Sequence, residues 1–402
     1  MVLELLVACT RPPVARPDRL WGSHLARHHA GDRVDVLPGD DAPILVSAPY
    51  VIDGYGENED GAGRVFRLSP DAPSGLLSDA ADTLWVSPPA VQSWGDALFA
   101  GDLDGDGAQE ILIDGHRTGW EDGVLATWYG LDQGGRLTTA DARGELGAPA
   151  VSASLHLTTL GDVDGDGHDD LALMDGTGAG SAVWFGPFAD DEPRTPDDAT
   201  WVTGRSYRND KGVAAVDLGG DGVRELVVAG DGPDGLHVVD PRARDLDVSG
   251  APYVRVEQLS PLHVGGDLDG DGAPDVVYGG VFTDLEPGAT PWWTLDEDLV
   301  GDAATGDFDG DGQDDLVQAV SHDGRYKAYV FRGPLPRGVA TSADADVVIE
   351  AHDGPDGWPG LHFAAGDVDG DGRDDLVVGE PGDEESFAGG SVSLYLGRSL
   401  FP

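Results

Sequence analysis

Along this chain apolar residues come in short runs, not at helical spacing. ILI (111–113), LAL (171–173), VVY (276–278), LVQ (316–318) and LVV (376–378) each soon meet Gly or Pro, the punctuation of short strands. A semi-apolar segment precedes each run, as in ALFAGD (97–102) and LHFAAGD (361–367). After a Gly-rich turn comes an aromatic segment: GRVFRL (63–68), ATWYG (126–130), AVWFG (182–186), AYVFRG (328–333) and SVSLYLG (391–397). A fourth follows in most units, as in TLWVSP (83–88) and ADVVIEA (345–351). No stretch sustains a 3.6-residue period, so the pattern predicts an all-β chain built from four-stranded units.

The units are repeats. GDLDGDGAQEILI starts at 101, GDVDGDGHDDLAL at 161, GDLDGDGAPDVVY at 266, GDFDGDGQDDLVQ at 306 and GDVDGDGRDDLVV at 366, with a weaker copy, VDLGGDGVRELVV, at 216. The first loop acids, Asp102, Asp162, Asp217, Asp267, Asp307 and Asp367, are spaced by 60, 55, 50, 40 and 60 residues. A seventh unit sits in GDDAPILVSAPY (39–50). Aligning Ile44 with Ile111 places Asp35, Leu37, Gly39 and Pro43 at the four loop positions, a repeat without an ion. Seven units of four strands predict a seven-bladed β-propeller with metal-binding β-hairpin loops. A flat solenoid is the alternative, disfavoured by the uneven repeat lengths. The 40-residue unit between Asp267 and Asp307 is expected to lose a strand.

Each full loop carries carboxylates at positions 1, 3, 5 and 9. These are Asp102, Asp104, Asp106 and Glu110; Asp162, Asp164, Asp166 and Asp170; Asp267, Asp269, Asp271 and Asp275; Asp307, Asp309, Asp311 and Asp315; and Asp367, Asp369, Asp371 and Asp375. Four hard oxygen donors in nine residues suit Ca2+. Position 7 varies (Ala108, His168, Ala273, Gln313, Arg373), as a backbone carbonyl ligand allows. An EF-hand needs a bidentate Glu at position 12, where this chain has Ile113, Leu173, Tyr278, Gln318 and Val378. Dockerin-type loops fail on the same residue, and the apolar run that follows makes each loop a hairpin. In the weaker copy Gly219 replaces the second acid, leaving Asp217, Asp221 and Glu225 as a degenerate sixth site. About five strong Ca2+ sites are expected.

Composition narrows the function. The 402 residues carry 75 acids against 24 Lys and Arg, a net charge of -51, which argues against nucleic-acid binding. No apolar run approaches the ~18 residues of a spanning helix. Cys9 is the single cysteine, so there is no intramolecular disulfide framework. No HExxH, GxSxG or phosphate loop appears, and a non-catalytic chain is expected. His24, His28 and His29 form the one His cluster, read as surface residues; His156 and His362 fall on inner-strand segments. Trp120, Trp292 and Trp293 could stack on sugars, although blade packing explains them better.

With these loops go Trp94-Gly95 ahead of a loop, and Ser47-Ala48-Pro49 and Gly379-Glu380-Pro381 after a strand. On these residues nearly the whole chain resembles the FG-GAP repeat family, the seven-bladed propeller of integrin α-subunit heads and many bacterial surface proteins. The resemblance implies calcium rigidifying the hairpins of one face, with partners on the opposite face or the blade edges. Leu6-Val7-Ala8-Cys9 resembles a bacterial lipobox, though Glu4 interrupts a short apolar stretch that lacks a basic start. Residues 1–13 are read as a truncated lipoprotein signal and linker, and 14–402 as one propeller. The other reading makes VLELLVA a strand completing the last blade. Weak calcium loops and a lipid anchor at Cys9 imply an extracytoplasmic monomer, a surface lipoprotein or a secreted protein. Its partner is a protein or, on the alternative reading, a glycan; a cryptic hydrolase or lyase comes third.

Overall fold

The computed structural model describes residues 12–23, 30–38, 42–48, 63–86, 91–117, 124–148, 155–175, 182–188, 198–201, 212–220, 222–229, 235–243, 246, 253–254, 262–286, 288–322, 325–351, 361–381 and 389–402. Cys9, His24, His28, His29, Trp120 and Asp221 lie outside them.

The apolar runs alternate in direction, and both directions lead to a core. Ile111 and Ile113 pack toward the preceding blade against Trp85, while Leu112 between them packs toward the following blade with Trp184. Likewise Leu316 and Val320 face one neighbour, Val317 and Ala319 the other. Side chains on a strand alternate faces with period two. A strand buried on both faces therefore reads as a continuous apolar run, not as an alternating one.

Seven sheets result, each built on four antiparallel strands, and three of them carry a fifth strand paired parallel. The innermost strands are Val34–Val36, Val91–Gly101, Leu155–Gly161, Val213–Val216, His263–Val264, Asp298–Gly306 and His362–Gly366 for blades 1 to 7. Each touches the next in order, and the last touches the first, which closes the ring. Seven apolar clusters lie between the blades, one at each junction. The all-β seven-bladed propeller is thus as expected.

Closure uses the chain's beginning. The outer strand of blade 7 is Arg19–Gly22, antiparallel to Ser391–Tyr395 with Trp21 opposite Val392. Trp21 is fully buried between blades 7 and 1, and its Nε1 donates to the Pro73 carbonyl at 3.0 Å. Further staples run between blades. Gly75–Leu76, Gly135–Leu137 and Gly338–Ala340 each leave the third-to-fourth-strand connection of one blade and pair, parallel, with the outer strand of the blade before it.

Two expectations meet the structure differently. The 40-residue unit keeps four strands, His263–Val264, Val276–Val277, Val281–Phe282 and Trp293–Leu295; the length is taken from the strands and turns. Dropping a strand would remove Trp293 and Leu295 from the junction with blade 6. In the seventh unit, Val34–Val36 pairs with Ile44–Ala48 around a shorter turn, with Leu37 N donating to Pro43 O at 2.8 Å. The register corrects the expected alignment: Val36 pairs with Ile44 as Ala365 pairs with Leu376, so Asp35 lies within the strand and Leu37, buried in the core between blades 1 and 2, stands at the start of the turn.

If the first strand closes the ring, its buried face should matter and its outer face should not. Trp21→Ala should cost about 3–5 kcal/mol in denaturant unfolding, whereas Leu20→Ala, on the partly exposed face, should stay within about 0.5 kcal/mol of wild type. Equal stabilities for Trp21→Ala and wild type would refute this closure.

Candidate metal centres

Each acidic loop joins the innermost strand of a blade to the second. At positions 4 and 6 the chain turns through left-handed dihedrals, as at Gly105 (φ 78°) and Gly107 (φ 84°), and the glycine pair of every other loop copy does the same. Side chains with a Cβ resist that region, so the DGDG spacing is the backbone path written in sequence. The position-1 carboxylate gathers the amides exposed by this path. Asp102 Oδ1 accepts from Gly105 N at 2.8 Å and Oδ2 from Gly107 N at 3.0 Å. Asp162 and Asp267 repeat this pairing, and Asp307 and Asp367 accept from positions 5 and 6.

The carboxylates converge as the spacing requires. Ligand oxygens of Asp162, Asp164 and Asp166 lie within 4.8 Å of one another, as do those of Asp267, Asp269 and Asp271, of Asp307, Asp309 and Asp311, and of Asp367, Asp369 and Asp371. In the first loop the converging set is Asp102, Asp104 and Glu110. These clusters can hold a metal ion. Among the described residues no such set forms around Asp217; Glu225 there accepts from Leu218 N at 3.3 Å.

Position 9 has a second task. Glu110, Asp170, Asp275, Asp315 and Asp375 are buried beneath their loops. One oxygen of each accepts the position-2 amide, at 3.0, 2.9, 2.8, 3.1 and 3.0 Å respectively. The other oxygen of Asp170, Asp315 and Asp375 accepts from Gly186, Gly333 and Gly397 after the third strand. A carboxylate has about four lone-pair sites, so capacity toward an ion remains. Burial, followed by repulsion from the loop acids, raises these groups: Glu110, Asp275 and Asp315 to about 7, Asp170 and Asp375 to about 6. Backbone hydrogen bonds oppose the rise but do not cancel it.

Two features escaped the sequence reading. Position 8 reaches the neighbouring blade: Asp169 Oδ2 accepts from Asp102 N at 2.8 Å, Asp314 Oδ2 from Asp267 N at 2.7 Å and Asp374 Oδ2 from Asp307 N at 3.0 Å. A Cβ at Gly101 would collide with the Asp169 carboxylate, which explains the glycine before that loop. The recurring Asp-Asp pairs (169–170, 314–315, 374–375) were the available signal. Where position 8 is Arg224, the side chain donates instead to Leu160 O of the preceding blade. Arginines also flank four clusters. Arg143 contacts Asp106 and Glu110, Arg337 Asp269, Arg332 Asp309, and Arg398 Asp369 and Asp371. They offset part of the acid charge, and their scattered positions gave no motif to read.

The aromatic candidates resolve toward packing. Trp293 is buried and meets Phe331 edge-on at 5.2 Å, and Trp292 packs on the same cluster with the Arg337 guanidinium 5.5 Å from its ring.

A family profile described as FG-GAP repeat matches residues 360–395, which hold the loop of blade 7 and the strands on either side of it. No curated protein sequence matches the chain. Among solved structures, a Bacillus licheniformis rhamnogalacturonan lyase PL11 is similar at 17% identity and a TM-score of 0.35, over 94% of this chain and 75% of that one; a likeness so distant carries no chemistry across. The profile thus covers one strand–loop–strand unit of a seven-bladed β-propeller in which that unit recurs around a closed ring.

Proposed function

We propose that the protein is a calcium-stabilised, non-catalytic extracytoplasmic propeller that binds a protein partner at the bacterial surface. The observation behind it is the convergence of three carboxylate oxygens in each of five loops, all at the same end of the innermost strands. Ca2+ takes 6–8 oxygens in flexible geometry, whereas Mg2+ demands a tight octahedron and dehydrates reluctantly. Three loop acids, the buried position-9 carboxylate, a position-7 carbonyl and water supply a calcium shell. The loop around Asp217, short of one acid, is the weak sixth member. Extracellular calcium modules work at about 10⁻⁴–10⁻³ M, and a cytosol holds too little free calcium to fill them. Five divalent ions would bring the net charge from -51 to -41, still acidic enough to resist non-specific association. Cys9 is the proposed lipid anchor. Burial of Trp293 weighs against the glycan reading.

The partner assignment is tested with two assays on the calcium-loaded protein. A glycan array should show no binding, and cross-linking in the native envelope fraction should capture a defined protein, lost when the whole surface is stripped by chelation. Repeated binding to one glycan class would replace this reading with the lectin one. A wild-type protein found cytosolic and unlipidated would remove the surface assignment.

Chelation should lower the melting temperature, and millimolar calcium should restore it better than magnesium, because ions that bind the native state stabilise it by mass action. The pH dependence is specific. Without metal, the position-9 acids have raised folded pKa values, so they stabilise the fold while protonated and lose that contribution as pH rises from about 4 to about 7. Chelated protein should therefore weaken over that window, and calcium, which favours the ionised carboxylates, should remove the decline. A melt indifferent to chelator at pH 7, with no metal in elemental analysis, would sink the calcium assignment.

The cross-blade bonds yield a test of neighbouring loops. Asp314 belongs to the loop at 307 but holds the first amide of the loop at 267. Asp314→Ala should weaken calcium binding at the 267 loop by about tenfold or more, about 1.5–3 kcal/mol for one charge-assisted hydrogen bond, with all four acids of that loop intact. Unaltered calcium titrations for Asp314→Ala would show that the loops act separately.

A further inference from the structure

The acidic loops are not equally joined to one another. Two side-chain contacts run from a loop back to the loop of the preceding blade, and among the described residues three junctions have both. One is the position-8 bond to the first amide, made by Asp169, Asp314 and Asp374. The other comes from position 7, whose side chain lies against the position-4 glycine of the preceding loop. A Cβ on Gly105 would come within 2.5 Å of the His168 imidazole, one on Gly270 within 2.9 Å of Gln313 Oε1, and one on Gly310 within 2.9 Å of Arg373 Cγ. At the same glycine of the other loops, Gly165, Gly220 and Gly370, nothing among the described residues lies within 4 Å of that point. Backbone bonds strengthen the joined junctions. Asp102 O and Asp307 O accept from Asp169 N and Asp374 N at 3.3 and 2.9 Å, and Leu103 O and Leu268 O from Phe188 N and Leu335 N at 2.7 and 2.8 Å.

The gaps have chemical causes. Between the loops at 162 and 217, position 8 is Arg224, which cannot accept an amide and donates instead to Leu160 O, on the strand before the loop. Between 217 and 267, positions 7 and 8 are Ala273 and Pro274, one too short to reach and the other with no acceptor on its side chain. After the loop at 367 the ring returns to blade 1, whose turn carries no acidic loop. The five full loops therefore fall into a pair, at 102 and 162, and a run of three, at 267, 307 and 367.

Positions 7 and 8 sit among the ligand positions. With the position-7 carbonyl and the position-9 carboxylate on an ion, the segment between them is fixed, and that segment holds the loop before it. Ordering a loop costs conformational entropy, and a loop whose neighbour is already ordered binds its ion at a smaller cost. Such coupling is reciprocal. Resting on the calcium reading, we propose that the ions bind as two independent cooperative groups, two in the loops at 102 and 162 and three in those at 267, 307 and 367. His168, Gln313 and Arg373, with Asp169, Asp314 and Asp374 beside them, are the positioning residues. The degenerate loop at 217 is the break between the groups.

Peptide-resolved hydrogen exchange of the full chain, followed across a calcium titration, gives each loop its own midpoint, and native mass spectrometry counts the ions. Asp309→Asn should lose one ion and raise the midpoints at both 267 and 367 by about fivefold or more, the low end of couplings between sites, with 102 and 162 unmoved. Asp164→Asn should raise the midpoint at 102 in the same way and leave 267, 307 and 367 as they were. Gln313→Ala, which removes no acid, should raise the midpoint at 267 at an unchanged melting temperature in saturating calcium. If Asp309→Asn does not fold, Asp164→Asn and Gln313→Ala decide. Unmoved midpoints beside an emptied loop or in Gln313→Ala, tighter binding there, or an equal shift in every remaining loop would each overturn the grouping while leaving five calcium sites in place. A wild type that binds no calcium would overturn it together with the calcium reading.

Discussion

Every blade of this propeller is buried on both faces by other blades, and the rest of the structure follows from that constraint. A sheet with two apolar faces cannot exist alone in water. Burial returns roughly 25 cal/mol per Å² of apolar surface removed from water, and here that surface lies between blades, not within them. Seven wedge-shaped clusters replace a single core. An open row would leave two apolar faces exposed, so the ring must close, and it closes on a strand drawn from the other end of the chain. The 40-residue unit obeys the same rule. It gives up length wherever it can, yet keeps four strands to cover both neighbours.

The acidic loops are part of the scaffold before they are anything else. A chain that turns through two left-handed residues leaves amides pointing inward, and the position-1 and position-9 carboxylates collect them. Position 2 adds the apolar link: Leu103, Val163, Leu268, Phe308 and Val368 are buried in the junction with the following blade. Position 8 adds the polar one, from the following blade back to the loop. Each loop is therefore tied to the sheet below and to the blade beside it. What the scaffold leaves unbalanced is charge. Acids gathered this closely repel one another and resist ionisation when buried, as the raised position-9 groups show. Arginines relieve part of that load in four loops.

The strand pattern and the loop spacing were legible because both are local. Arg64–Leu68, Val124–Gly130, Arg325–Phe331 and Ser391–Tyr395 fall where the aromatic segments placed strands, since period-two burial and Gly-bounded runs are written within a few residues. The convergence of Asp162, Asp164 and Asp166 was equally local. What could not be read was whatever joins distant parts of the chain. Asp169 looked like a spare acid because its partner is Asp102, in another blade. The closing strand Arg19–Gly22 has no loop motif to announce it. Arg33, Thr158, Asp302 and His362 lie in four separate repeats, and nothing in their neighbours marks them as facing one cavity until the ring brings the inner strands together.

The same ring geometry sorts the charges. Most of the acid surplus is set at loops and edges, where water screens separate charges beyond about 10 Å at ordinary ionic strength. The inner strands, by contrast, face one another across a narrow space where screening is weaker and each group is matched singly. Asp302 has its imidazole, Asp35 its amide, His263 its threonine hydroxyl. Arg33 donates to the Leu157 carbonyl at 3.4 Å, and its charge acts on both Asp302 and His362. The axis is therefore lined by groups of both signs, Asp35 and Asp302 beside Arg33, which lie in separate repeats and meet only because the ring closes.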